Sequence, residues 1–338
     1  MYLPLHPADA PQGRRFVSTG SLPPRRRVDD LVLAAHARYR DNHDGALSTV
    51  YPALAAADPD RFGLALTEGD GAVHEAGDTR VRFTVMSVSK PFVFALACEE
   101  TGVDAVRRLV GVNATGLPFN SARAVERAPD GRTNPMVNPG AIATTSLVPG
   151  DDLESRWLWL AGRLSRFAGR PLELDDDVLA SARATNFRNR ALAMLLRGAG
   201  AIAGDAEEAV ELYTRQCCLA VTATDLATMG AALADGGVNP LTGERVVGAP
   251  AARAALAVMS IAGLYEASGD WLLDVGFPGK SGISGGLVAV SPGKGALGAF
   301  SPLLDAEGNS VRGQLAARFL AGELGLDLLS VPVASPEG

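Results

Sequence analysis

Apolar positions recur at helical spacing over residues 28–42, and the pattern then changes to short strand-like runs. F-G-L-A-L-T-E from Phe62 and A-V-H-E from Ala72 flank Asp70-Gly71, a turn signal, so the pair reads as a hairpin. R-F-T-V from Arg82 leads into a helical pattern from Ser87 to about Glu100, stopped by Gly102. A long helical region follows, with segments at 139–148, 152–168, 189–199, 206–217, 225–235 and 249–260, punctuated by Gly, Pro and Asn. Near the end, W-L-L-D-V from Trp271, G-L-V-A-V from Gly286 and A-L-G-A-F from Ala296 read as strands, before a last helix over 310–324. Strands at both ends around a helical middle predict an α+β fold. In it one antiparallel sheet is made from both chain ends and flanked by helices, with an inserted helical subdomain. The expected boundaries are a flexible basic arm at 1–27, a catalytic domain at 28–325 and a tail at 326–338. Within the domain, 28–86 and 270–325 form the sheet part and 87–269 the helical part.

A chain of 338 residues, 47% apolar, is long enough for one large core or two modest ones. No apolar run reaches the roughly 20 residues that span a bilayer, and the start lacks the basic-then-apolar order of a secretory signal. The expectation is a cytoplasmic protein with no membrane contact. Cys98, Cys217 and Cys218 match neither a disulfide framework nor a zinc pattern. The net charge of −7 offers no face for nucleic acid; Arg14, Arg15 and Arg25 to Arg27 read as a solvated arm. All four histidines fall in the first quarter, away from any nucleophile, which argues against a Ser-His-Asp triad or a His-rich metal site. Neither a cofactor nor a metal is implied.

Of 31 basic residues only Lys90, Lys280 and Lys294 are lysine. Where arginine serves generic charge, a retained lysine invites a chemical explanation, because only lysine can give up its proton near neutral pH. Lys90 closes S-V-S-K with Ser87 three residues earlier, which places hydroxyl and amine on one helix face at a helix start. This is the Ser-x-x-Lys arrangement of penicillin-recognising enzymes, although the tetrad alone also fits a helix start with a surface lysine. Lys280 begins K-S-G, comparable to the box on the strand that borders their active site. Lys294, in the turn S-P-G-K, is expected at a solvated hairpin tip.

More motifs then fall into line: V-Y-P-A-L-A around Tyr51, F-N-S from Phe119, N-P-M-V-N-P-G-A-I from Asn134 and R-N-R-A-L-A from Arg188. N-P-L-T-G-E-R-V from Asn239, G-L-Y-E-A-S-G from Gly263 and G-K-S-G-I-S-G-G from Gly279 complete the set. Over roughly residues 30–325 the chain resembles the serine-dependent glutaminases, whose fold is that of β-lactamases and DD-peptidases. The resemblance implies hydrolysis of L-glutamine to L-glutamate and ammonia by a homo-oligomer. It implies that Ser87 is the acylated nucleophile, Lys90 its base and Tyr265 a second proton-transfer group near the leaving amine. Tyr51, Asn120, Asn189 and Tyr213 would hold the amino-acid head, and the Ser87 and Ile283 N–H groups would form an oxyanion hole, with Lys280 and Asn138 in support. Taken singly, Asn134 and Asn138 beside prolines also fit turn stabilisation, and the three tyrosines fit core aromatics.

The chain departs from the family at Ala182, where a glutamate pairs with the substrate's α-ammonium, and at Met86, where glutamine precedes the nucleophile. Pro139 and the N-A-T-G run at Asn113 also differ. Losing the ammonium contact costs roughly 1.5–3 kcal/mol of binding unless something replaces it. Either another acid enters, Asp175 to Asp177 being nearest in sequence, or the substrate lacks that ammonium or carries it acylated. The alternatives are therefore a same-fold hydrolase of a different amide or ester, and a non-catalytic binding relative.

Overall fold

The computed structural model describes residues 20–202 and 204–330. Helix α1 (Arg25–Tyr39) leads to strands β1 (Gly63–Glu68), β2 (Val73–Gly77) and β3 (Phe83–Thr84). A helical stretch follows, with α2 (Lys90–Thr101), α3 (Val103–Val110), α4 (Ala122–Arg127), α5 (Asn138–Thr145) and α6 (Leu153–Ala168). Strand β4 (Glu173–Leu174) precedes α7 (Asp176–Thr185), α8 (Phe187–Gly198) and α9 (Ala206–Cys217), and β5 (Leu219–Val221) precedes α10 (Ala223–Ala234), α11 (Ala249–Ala262) and α12 (Ser268–Asp274). The chain closes with β6 (Gly279–Ser281), β7 (Gly286–Ser291), β8 (Gly295–Phe300) and α13 (Val311–Leu324).

Five strands form one antiparallel sheet in the order β2-β1-β8-β7-β6, so strands from both chain ends meet at β1 and β8, with Leu66 opposite Leu297. Alternate residues serve two cores. Leu287, Ala289, Leu297 and Ala299 pack with Val28 and Val32 of α1 and Ala316 and Leu320 of α13. Val288, Val290, Ala296 and Phe300 face the core of α10, α2 and α11. Burial on both faces explains why β7 is apolar without alternation. Helix α10 crosses so closely that a Cβ on Gly298 would lie 2.1 Å from the Ala223 carbonyl oxygen. A second, three-stranded sheet in the order β3-β5-β4, absent from the sequence expectation, ties the helical part to the entry of α2.

Other expectations are corrected. W-L-L-D-V is helix α12 and its end: Trp271 and Val275, one turn apart, are buried while Leu273 is 78% exposed, and the third strand is the later K-S-G segment β6. Arg25 to Arg27 open α1, where Arg25 pairs with Asp70 at 2.7 Å; Arg14 and Arg15 lie outside the described residues. Leu326 is buried and the Leu328 N–H donates to the Gly276 carbonyl, so the chain beyond 325 starts as packed structure. Lys294 is buried, and its amine donates to the carbonyl of Gly325, where the C-terminus of α13 presents unpaired oxygens.

Arg312, on the first turn of α13, is fully buried. Its guanidinium donates to Ser301 Oγ at 2.7 Å and to the carbonyls of Arg40, Pro59, Asp60 and Arg61, binding α13 to the chain before β1. No described helix is long and apolar enough to cross a membrane.

Candidate active site

Strand β3 leads into the turn that carries Ser87. Pairing with β5 continues past the strand, the Val85 N–H donating to Leu219 O at 2.8 Å, and the chain then makes a 3-10 turn over Met86–Ser89. Met86 sits there at φ 45°, a left-handed conformation that a non-glycine residue adopts only when its surroundings impose it. Ser87 follows and Lys90 begins α2, whose interior is packed with Phe92, Phe94 and Leu96.

Lys90 is 1% exposed. Its amine donates to Met136 O at 3.2 Å and to Asn138 Oδ1 at 2.7 Å, and burial lowers its pKa to about 7. A neutral amine has two N–H groups and one lone pair. Both N–H groups have acceptors here, which leaves the lone pair to take a proton. Asn138, at the start of α5, also accepts from the Tyr213 hydroxyl at 3.3 Å and donates to Asn189 Oδ1 at 3.0 Å. Asn189 continues the network to Asn186, and Asn186 to Thr214. Of the two asparagines that sequence reasoning set beside turns, Asn134 does stabilise one, bonding Met136 N and Asn113 O, whereas Asn138 is the hub of the buried polar network.

The K-S-G-I segment closes the other side. A Cβ on Gly282 would lie 3.1 Å from Val85 O and 3.3 Å from Ser87 N, so the turn after β6 rests directly on the Ser87 turn. Ser284 Oγ donates to Thr84 O at 2.6 Å, which fixes Ile283 between two points tied to β3. Tyr265, at φ 56°, is buried and donates to Ser281 O at 3.2 Å, with the Ser87 side chain near enough to influence its titration. Burial raises its pKa, and Ser87 and Ser281 oppose the rise. Lys280, on β6, is fully buried, its amine 4.1 Å from the centroid of the Tyr265 ring.

Tyr51 and Asn120 are half-buried on loops. The Tyr51 turn is tied to α7 by Ala53 N donating to Ser181 Oγ at 3.3 Å. Asn120 is held by its neighbours: Arg188 donates to its carbonyl at 2.9 Å, and Phe119 bonds Asn138 N and the Glu266 carboxylate. Ala182, on α7, is fully buried in an apolar cluster with Leu54, Met86, Leu179 and Tyr213. The acids nearest in sequence do not replace the missing glutamate: Asp175 caps α7 through Val178 N, and Asp176 and Asp177 are exposed. Cys217, one helical turn after Tyr213 on the same face of α9, packs beside Lys90 and Tyr213. Burial pushes its thiol up to about 11, and Lys90, Tyr213 and Ser89 pull the other way.

The chain is similar to known proteins over most of its length. The sequence matches the family described as Glutaminase over residues 45–329. It is 58% identical over 313 residues to "Glutaminase 2" of Yersinia pestis, an alignment covering 93% of this chain and 92% of that one. It is 47% identical to a glutaminase of Mycobacterium ulcerans, covering 90% and 96% of the two chains. Among solved structures, the probable glutaminase ybaS superposes with a TM-score of 0.89 at 43% identity, over 90% of this chain and 99% of that one. A probable glutaminase of Bacillus subtilis gives 0.82 at 31%, over 89% and 97%. With the β-lactamase-like α+β architecture and these matches along nearly the whole chain, the protein belongs to the glutaminase family, a family of amidohydrolases.

Proposed function

We propose that the protein hydrolyses L-glutamine to L-glutamate and ammonia through an acyl-enzyme on Ser87. Neutral Lys90 takes the Ser87 proton, and Oγ attacks the side-chain carboxamide carbon. The backbone N–H groups of Ser87 and Ile283 bind the resulting oxyanion, typically the largest single catalytic contribution in such sites. Tyr265 gives its proton to the departing nitrogen, and ammonia leaves. Water then attacks the acyl carbon, its proton passing back through the same groups, and glutamate is released. Tyr51, Asn120, Asn189 and Tyr213 hold the amino-acid head. The observation that carries this reading is Lys90: a buried amine with pKa about 7, both N–H groups accepted by neutral oxygens, three residues after a serine on a fixed turn.

The same reading has the protein act as a homo-oligomer, on the strength of the family resemblance, and in the cytoplasm, where its three buried cysteines stay reduced. A second reading keeps the chemistry and changes the substrate head to one whose α-nitrogen is acylated or absent; the apolar surroundings of Ala182 favour it. Ammonia release from glutamine, asparagine, N-acetylglutamine and 4-carbamoylbutanoate tests both. Glutamine turnover lost in Ser87→Ala supports the first. Turnover of the last two amides alone supports the second, and ammonia from folded Ser87→Ala rules out the acyl-enzyme.

A further inference from the structure

Tyr265 needs explaining before its chemistry does. It is one of two described non-glycine residues with a left-handed backbone, and such a conformation persists only when neighbours over-determine it. Lys280 supplies the neighbours. From β6 its amine donates to Gly263 O at 2.8 Å, two residues before Tyr265, and to Ser281 O at 2.6 Å, the same oxygen that accepts the Tyr265 hydroxyl. The nitrogen also stands 4.1 Å from the centroid of the Tyr265 ring. The turn lies hard against β6, since a Cβ on Gly263 would be 1.8 Å from Gly279 O. One amine therefore touches the backbone leading into Tyr265, its ring, and the acceptor of its hydroxyl. Arginine, with a wide planar fork, does not fit a site built around one nitrogen.

We propose that Lys280 is a positioning residue that acts through Tyr265, fixing the phenol beside Ser87, and that it makes no contact with substrate. This rests on the reading of Tyr265 as proton donor to the leaving nitrogen. Burial and the charge of Lys90 both push the Lys280 pKa well down, which suits an amine whose work is to hold rather than to carry charge.

The test is a double-mutant cycle on the full chain with glutamine as substrate, reading kcat and KM separately and checking folding by thermal unfolding. Lys280→Met is expected to lower kcat by about 10²-fold, the usual consequence of misplacing a catalytic group by about 1 Å, and to change KM by less than about threefold. In a Tyr265→Phe background the same change is expected to cost less than about threefold, because the group it positions is already gone. Lys280→Gln keeps two N–H donors for the two carbonyls and is expected to recover about tenfold of the loss; it carries the cycle alone if Lys280→Met does not fold. Equal losses in both backgrounds, or a rise in KM alone, overturn the proposal for Lys280 while leaving Tyr265 its role. Wild-type kcat in Tyr265→Phe overturns both.

Discussion

Behind the five-stranded sheet, the guanidinium of Arg312 spends all five N–H groups on a serine hydroxyl and four backbone carbonyls. At the start of α2, the amine of Lys90 is just as buried and meets two acceptors. Both sites take a cation out of water, which is costly unless its donors are satisfied. The sheet side answers with a group that cannot lose its proton and surrounds it completely. The start of α2 takes a group that can, and gives it two acceptors. Saturation yields a rivet, and incomplete saturation leaves an amine able to serve as a base. Acceptor number alone does not assign the role, since Lys280 is as buried as Lys90 and also meets two acceptors; the capacity to lose a proton close in sequence to a serine is what sets Lys90 apart from Arg312.

Transplanting one solution into the other site breaks the contrast most severely. Lys90→Arg keeps charge and removes the lone pair, so kcat/KM for glutamine is expected to fall by about 10³-fold or more, with the circular dichroism spectrum unchanged. Retention of a tenth of wild-type activity would mean that Lys90 is not the base. The reciprocal experiment is Arg312→Met. It leaves buried carbonyls without donors and should cost roughly 3–5 kcal/mol in urea unfolding, with kcat per folded molecule within about twofold of wild type. A loss below about 1 kcal/mol would show that water satisfies those oxygens instead.

The pH profile sharpens the comparison without any mutation. The active form of Lys90 is the neutral one, so kcat/KM should rise about tenfold per pH unit below the depressed pKa of about 7 and level off above it. Arg312→Met should leave that limb where it is. A profile flat from pH 5 to 8 would contradict a titrating lysine. The smallest expected effect is at Ala182, a position with no charge at all. Ala182→Glu should raise kcat/KM for glutamine by about tenfold, while setting a carboxylate among Leu54, Met86 and Leu179 should lower stability by roughly 1–3 kcal/mol. Stability lost with no gain in kcat/KM would deny the position a role at the substrate ammonium.

Much of this was legible along the chain because it is local. Ser87 and Lys90 are three residues apart on one turn, and the β7 and β8 runs carry their own turn signal. What stayed hidden depends on partners distant in sequence. Lys294 looks solvated until α13 brings Gly325 to it, and Asn138 looks like a turn residue until Lys90, Asn189 and Tyr213 converge on it. W-L-L-D-V is five residues long, too short for its period to separate strand from helix; the burial of Trp271 against Phe277 decides it. The three-stranded sheet escaped because its members are two or three residues each and pair across large separations.

The pairing of β1 with β8 has a consequence for how the protein is made. A ribosome releases β1 and β2 early, as a hairpin that is marginal alone, while β8 and Arg312 follow more than 200 residues later. At ordinary rates of synthesis that interval is on the order of ten seconds or more. Throughout it the β1 edge is unpaired, and the carbonyls of residues 59–61 await a guanidinium that has not been translated. The nascent chain thus carries an open strand edge, the kind of surface that recruits chaperones or other chains, until almost its last helix is complete.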